Sequence, residues 1–234
     1  MQIPLSKRLQ VCAGFVNTGD RVADIGCDHG YLGIHLLKNH IATSVIAADI
    51  NEMPLQSAIQ NARRFGVADN ISFYLSDGAK SIPRDFNTFI CAGMGADTMI
   101  SILRGAPWLR FEQYRLILQC QSKTPALRKY LSEQGWHINE EAVLRDGRFL
   151  YTVMEVVWQP DHTPLTTGQW YFPPALLKNP GNELPEYFDR ILFSLRRAVN
   201  NRTPHTDDHL AQALRELEND HSLDWLKEDH NDNS

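Results

Sequence analysis

Arg21-Val-Ala-Asp-Ile-Gly-Cys-Asp-His-Gly-Tyr-Leu-Gly33, followed by Val45-Ile-Ala-Ala-Asp49, decides the fold. Val22, Ala23 and Ile25 form the short apolar run of a strand covered on both faces. Gly26, Gly30 and Gly33 then allow a tight turn and a close approach of backbone to a ligand, and Tyr31 opens a helix. Asp49 ends the next strand about 25 residues after Asp24, near the interval at which nucleotide-binding α/β folds set an acid against a ribose. The stretch therefore points to an adenosine-containing cofactor.

The turn itself selects among such cofactors. A dinucleotide rests its pyrophosphate on Gly-x-Gly-x-x-Gly at a helix N-terminus. Here the middle glycine is absent and Asp28 stands near its place. A carboxylate there repels a pyrophosphate but tolerates or attracts a sulfonium and an α-amino group. The order acid-x-Gly-x-x-x-Gly, set by Asp24, Gly26 and Gly30, is the pattern of S-adenosylmethionine (SAM) enzymes. An NAD-linked oxidoreductase is disfavoured by the same turn.

The 234 residues suit one α/β domain with an appendage, or two small domains, and an apolar fraction of 43% is normal for a sizeable core. No apolar run is long enough to span a membrane, and the N-terminal Met-Gln-Ile-Pro-Leu-Ser-Lys-Arg-Leu lacks the apolar centre of a signal peptide. Cys12, Cys27, Cys91 and Cys120 are far apart, so neither a zinc site nor a disulfide framework is indicated. The expected setting is a reducing cytoplasm, with no metal and no membrane contact. A net charge of −5 argues against a whole-surface polyanion binder but leaves room for a local basic patch.

The strand–helix alternation continues along the chain. Leu5–Asn17 reads as an opening helix, with Leu5, Leu9, Cys12, Ala13 and Val16 on one face. Strands are expected at 22–25, 44–49, 71–76, 88–92 and 115–119, and helices at 31–39, 53–65, 96–105 and 125–134. The segments 136–143 and 149–157 read as an antiparallel pair around the turn Arg145-Asp-Gly-Arg148. The expected architecture is a Rossmann-like, mostly parallel sheet with an antiparallel edge hairpin, spanning 1–160. Residues 159–168 are Pro/Thr/Gly-rich, as a linker or ordered loop would be. Two amphipathic segments, 184–200 and 207–218, predict a C-terminal helical hairpin within an appendage at 161–222. An acidic, Asn-rich tail is expected over 223–234.

Five segments resemble one family: Leu5-Ser-Lys-Arg-Leu9, Ala23-Asp-Ile-Gly-Cys-Asp-His-Gly-Tyr-Leu32, Ala48-Asp-Ile50, Ser76-Asp-Gly78 and Ile90-Cys-Ala-Gly-Met-Gly95. They are similar to those of the bacterial TrmK-type tRNA (adenine-N1)-methyltransferases, SAM-dependent enzymes that act on the adenine at tRNA position 22. The resemblance implies a SAM-binding α/β domain followed by a helical coiled-coil appendage. It departs in a C-terminal hairpin that reads as short with an acidic second helix, and at two points in the motifs. Ala96 stands where the family continues Gly-Met-Gly with glycine, and Leu118-Gln-Cys-Gln121 stands where it carries Leu-Gln-Pro-Asn.

On this reading the cofactor is held by Asp24, Gly26, Asp28, Gly30, Asp49, Ile50, Asp77, Gly78, Gly93, Met94 and Gly95. Asp49 accepts from the ribose hydroxyls, Asp77 takes the adenine amine, and Gly78 leaves room for the ring. Gly93, Met94 and Gly95 lie where open α/β sheets bind ligands. Asp28 and His29 are the catalytic candidates. Asp28 either stabilises positive charge developing at adenine N1, or takes a proton from the exocyclic amine, or contacts only the amino-acid part of SAM. His29 either serves the substrate or is a helix-start histidine. Lys7, Arg8, Arg196, Arg197 and Arg202 are candidate grips on an RNA backbone, and Tyr31 a candidate stacking ring for a flipped base. The expected partner is tRNA, met by a monomer or weak homodimer. Other readings are a SAM methyltransferase for another RNA base or a small molecule, or a non-catalytic SAM- or RNA-binding protein. A helical appendage favours a macromolecular substrate.

Overall fold

The computed structural model describes residues 3–201 and 208–228. In chain order the elements are α1 (Lys7–Gly14), β1 (Asp20–Ile25), α2 (Tyr31–Lys38), β2 (Ala42–Asp49), α3 (Glu52–Arg64), β3 (Ile71–Leu75), β4 (Thr88–Met94), α4 (Ala96–Gly105), β5 (Arg115–Cys120) and α5 (Thr124–Glu133). They are followed by β6 (Trp136–Asp146), β7 (Phe149–Trp158), α6 (Thr167–Tyr171), α7 (Leu184–Asn200), α8 (His209–Asn219) and α9 (Asp224–Glu228).

The strands form one seven-stranded sheet in the order β3-β2-β1-β4-β5-β7-β6. β1 to β5 are parallel, and β7 enters antiparallel to both β5 and β6. This is the mixed sheet expected from continuous apolar runs in β1, β4 and β5 and from the closing hairpin. The period-2 side-chain alternation of β1 sorts its residues between two cores. Ala23 and Ile25 face Met99 and Leu103 of α4 and Leu127 and Leu131 of α5. Val22 belongs with Cys12 of α1, Leu32 of α2 and Ala58 of α3.

The strand starts are stitched together by charge. Arg115 donates to Asp20 at 2.6 Å and to Glu155 at 2.7 Å, and the Thr88 hydroxyl donates to Asp20 at 2.7 Å. This network joins β1, β4, β5 and β7 at the end of the sheet opposite the carboxyl ends of the parallel strands.

The C-terminal helices form a third core around Phe172, Leu184, Phe188, Leu195, Ala213 and Leu217. The two amphipathic segments are helices as expected, and they are tied to the sheet. Arg128 of α5, fully buried, donates to the Glu141 carboxylate at 3.1 and 2.6 Å, to the carbonyls of Trp170 and Tyr171 at 3.1 and 2.7 Å, and to the Tyr187 hydroxyl at 3.1 Å. One guanidinium thus ties the sheet domain to α6 and α7.

Two local readings change. The end of the Pro/Thr-rich stretch is helical, because Thr166 and Gln169 form a reciprocal capping box at the start of α6. Glu216 of α8 reinforces it by accepting from the Thr166 hydroxyl and the Gly168 N–H, both at 2.6 Å. Residues 223–228, read as the start of a tail, instead pack into the helical core through buried Leu223 and Leu226. Residues 229–234 lie outside the described residues.

Arg128→Ala is expected to strand the buried Glu141 charge and lower stability by about 3–5 kcal/mol in urea denaturation. Adding Glu141→Leu is expected to recover part of that loss.

Candidate active site

The connections leaving β1 and β4 run to opposite sides of the sheet, because β1 is followed by β2 and β4 by β5. A crevice therefore opens between their carboxyl ends, where open α/β sheets bind ligands. Here it is a cleft of about 530 Å³ lined by residues from the ends of β1 to β5 and from α1.

The β1 turn follows a left-handed path through Gly26 (φ 73°), Asp28 (φ 50°) and Gly30 (φ 71°). At Gly26 the left-handed backbone favours glycine, and a Cβ would stand 2.2 Å from Met94 Cε, so that side chain at the end of β4 would have to move. The turn is pinned by Asp49, whose carboxylate accepts from the backbone N–H groups of Asp28 at 3.1 Å and Asn51 at 2.9 Å. Asp49 is thereby fixed at the end of β2 with its carboxylate at the cleft wall.

Asp24 lies deeper. It is 4% exposed, and its Oδ2 has no hydrogen-bond partner. Burial, and after it the charge on Asp49, pushes its pKa up to about 7, against a hydrogen bond from the Gly33 backbone. A buried oxygen without a donor, on a cleft wall beside a second carboxylate, is suited to a cationic group such as the α-amino group of SAM.

Asp28 and His29 sit at the mouth, with side chains 71% and 51% exposed and 3.7 Å between carboxylate and imidazole. The His29 ring lies 5.9 Å from that of Tyr31, which also lines the cleft. On the β3 side stand Asp77, Gly78 and the exposed Ile50. Gly78 (φ 58°) has no room for a Cβ, which would meet Ile102 at 2.9 Å. The Ser76 hydroxyl fixes this corner by donating to the Gly78 carbonyl at 2.9 Å and accepting from the Ser81 N–H at 3.0 Å.

Gly93 (φ 80°) bulges out of the β4–β5 ladder, whose register shifts between Ala92 and Met94. Its N–H donates to the Gln119 side chain at 3.1 Å. Gly93 and Met94 line the cleft; Gly30 and Gly95 do not. Gly30 is a packing glycine, its absent Cβ leaving Ala58 at 3.0 Å, and Gly95 caps α4 with Ser122 Oγ 2.9 Å from the place of a Cβ. Sequence reading missed Ser6, Asn51, Ser76, Gln119 and Gln121. The signal for Gln121 was the break in the family pattern after β5.

Of the RNA-contact candidates, Arg8 lines the cleft, paired with Asp146 at 3.0 Å and stacked 5.1 Å over Tyr151. Lys7 is exposed beside it at the start of α1. Arg196 and Arg197 are exposed on α7 away from the cleft lining, Arg196 donating to Glu218 at 2.9 Å. Arg202 lies outside the described residues. All four cysteines are buried, and burial raises their pKa values, so none offers a thiolate nucleophile at neutral pH. Among the described residues no group of three or more His, Cys, Asp or Glu is placed to hold a metal, and no helix is long and apolar enough to cross a membrane.

The methyltransferase-domain family matches residues 5–154, more than half the chain. This chain belongs to the TrmK-type methyltransferase family. It is 31% identical over 154 residues to the tRNA (adenine(22)-N(1))-methyltransferase of Bacillus subtilis, a match spanning 65% of each chain. The crystal structure of the B. subtilis m1A22 tRNA methyltransferase TrmK superposes with a TM-score of 0.77 at 26% identity, covering 97% of this chain and 99% of that one. A Streptococcus pneumoniae relative crystallised in complex with S-adenosyl-L-methionine superposes with a TM-score of 0.78 at 28% identity, covering 92% of this chain and 98% of that one. The likeness to solved structures extends across the helical layer, beyond the span of the family match.

The raised pKa of Asp24 carries a stability consequence. The folded state holds this proton more tightly than the unfolded chain, whose value is near 3.8. Stability present below about pH 4 is therefore lost as pH rises through about 7. In urea denaturation without ligand, Asp24→Asn is expected to remove that part of the decline, gaining a few kcal/mol over the parent at about pH 8.

Proposed function

We propose that this chain transfers a methyl group from SAM to N1 of an adenine in tRNA, position 22 being the position named for its B. subtilis relative. The observation that carries the reading is the pairing, in one cleft, of two buried strand-end carboxylates with an exposed Asp28–His29 pair at the mouth. The buried acids suit a cationic, ribose-bearing donor, and the open mouth admits a large acceptor.

When bound, SAM supplies an electrophilic methyl on a sulfonium. The residues present fit it. Asp49, held by two backbone N–H groups, is oriented to accept from ribose hydroxyls. Asp24 offers its unpartnered Oδ2 to the amino group, and Asp77 with Gly78 and Ile50 takes the adenine end. Gly26 and Gly93 allow the backbone to approach closely where a side chain would intrude.

Adenine N1 is already a lone-pair nucleophile, so the protein's main task is alignment, which supplies roughly 7–11 kcal/mol of a barrier. N1 gains positive charge as it attacks. Asp28, at the mouth beside His29, stabilises that charge or takes a proton from the exocyclic amine. Its exposure means that covering by tRNA strengthens its field. Tyr31 offers a ring to a base that has left its stack, and Lys7 and Arg8 supply backbone contacts beside the mouth. A tRNA-directed reaction of this kind belongs in the cytoplasm.

Incubation with labelled SAM and bulk tRNA from a strain lacking the gene is expected to place label in 1-methyladenosine, read by mass spectrometry of the nucleosides. Label in another nucleoside, or none, would falsify the reading. Asp28→Ala is expected to lower the methyl-transfer rate about 100-fold, with SAM affinity by calorimetry within about threefold of the parent. Asp49→Ala is expected to weaken SAM itself by about tenfold or more in the same calorimetry.

A further inference from the structure

Given the proposed tRNA reaction, on which this inference rests, the acceptor base has one rim of the cleft left to it. Residues suited to the adenosine half of the donor stand at the ends of β3 and β2, and those for its amino-acid half at β1. The sheet order then continues to β4 and β5, whose ends carry Gly93, Met94, Gln119 and Gln121.

The two glutamines there differ in what remains free. Gln119 is 1% exposed and spent: its oxygen accepts from the Gly93 N–H at 3.1 Å, and its amide nitrogen donates to the Cys120 carbonyl at 3.2 Å. Gln121 is exposed, and its backbone N–H is fixed to the Met94 carbonyl at 2.8 Å. Its side chain lies over Gly93, with Nε2 3.5 Å from where a Cβ would be. No hydrogen bond engages its amide among the described residues. A backbone-anchored amide with both a donor and an acceptor to offer thus faces the acceptor rim.

We propose that Gln121 is the residue that selects adenine, by reading its N6/N7 edge. A glutamine amide pairs bidentately with that edge, its oxygen accepting from the N6 amine and its N–H donating to N7. This contact leaves N1, the atom to be methylated, without a partner. A residue reading the Watson–Crick edge would cover N1. Guanine offers an acceptor at position 6, which would face the glutamine oxygen unsatisfied.

The test compares tRNA carrying adenine or 7-deazaadenine at the target position, which keeps N1 and N6 but removes the N7 acceptor. For the parent, the 7-deaza substrate is expected to lose about tenfold in kcat/KM. Gln121→Leu is expected to lose a similar factor on adenine, to bind SAM as the parent does, and to treat the two substrates alike. Gln121→Asn is expected to retain part of the discrimination. A parent indifferent to the 7-deaza change, or a Gln121→Leu variant that still discriminates, overturns this assignment alone. Absence of methyl transfer to the adenine tRNA overturns the proposed function and this assignment together.

Discussion

The cleft exists because β1 has its sequence neighbour β2 on one side and β4 on the other. That placement sends the two following helices to opposite faces and leaves the carboxyl ends of β1 and β4 uncovered. The placement is held by the parallel pairing of β1 with β4, and Gly26 lets the β1 turn pass close against the Met94 side chain. Asp49 then locks the turn from β2 by accepting the Asp28 N–H, while the Asn51 N–H holds its carboxylate in place. Burial, and after it the same carboxylate, raises the pKa of Asp24, so the arrangement that shapes the cleft also stores unfavourable electrostatics in it. A cationic ligand relieves that cost, which couples the energetics of the fold to the choice of cofactor.

The helical layer has a comparable single point of attachment. Arg128 and Glu141 are both fully buried, which would be costly if the guanidinium were not also satisfied by two carbonyls and a hydroxyl. The attachment holds α6 and α7 against the β6 edge, where Arg145 also pairs with Glu186. The helices therefore keep a fixed position relative to the β6–β7 turn, where Arg8 meets Asp146 beside the cleft. A rigid placement of this kind suits a substrate large enough to touch both the helical layer and the cleft.

Local patterns made most of this legible. The apolar runs of β1, β4 and β5 and the 3.6-residue stripe over 184–200 fixed element types, because both reflect burial periodicity alone. The glycine turn with Asp24, Asp28 and Asp49 located the cleft, because chirality and strand-end geometry leave few alternatives. Tertiary pairing was hidden. Nothing near Arg128 announces Glu141, and nothing in an Asp near a strand end tells how far burial and Asp49 raise its pKa. Other misses had a signal. Thr166 and Gln169 carry the spacing of a capping box inside a stretch whose prolines suggested a linker, and Leu223 and Leu226 lie three apart in an otherwise acidic segment. Gly30 and Gly95, read as cofactor positions from the glycine turn and the end of β4, stand at the N-caps of α2 and α4, outside the cleft lining.

A methyl on adenine N1 blocks Watson–Crick pairing, so reverse transcription of cellular tRNA stops at the modified base. Mapping those stops in cells with and without this gene tests the account most directly. The account predicts a stop at one tRNA adenine that disappears on deletion and returns with the intact chain but not with Asp49→Ala. A pattern of adenine stops unchanged by deletion would contradict it.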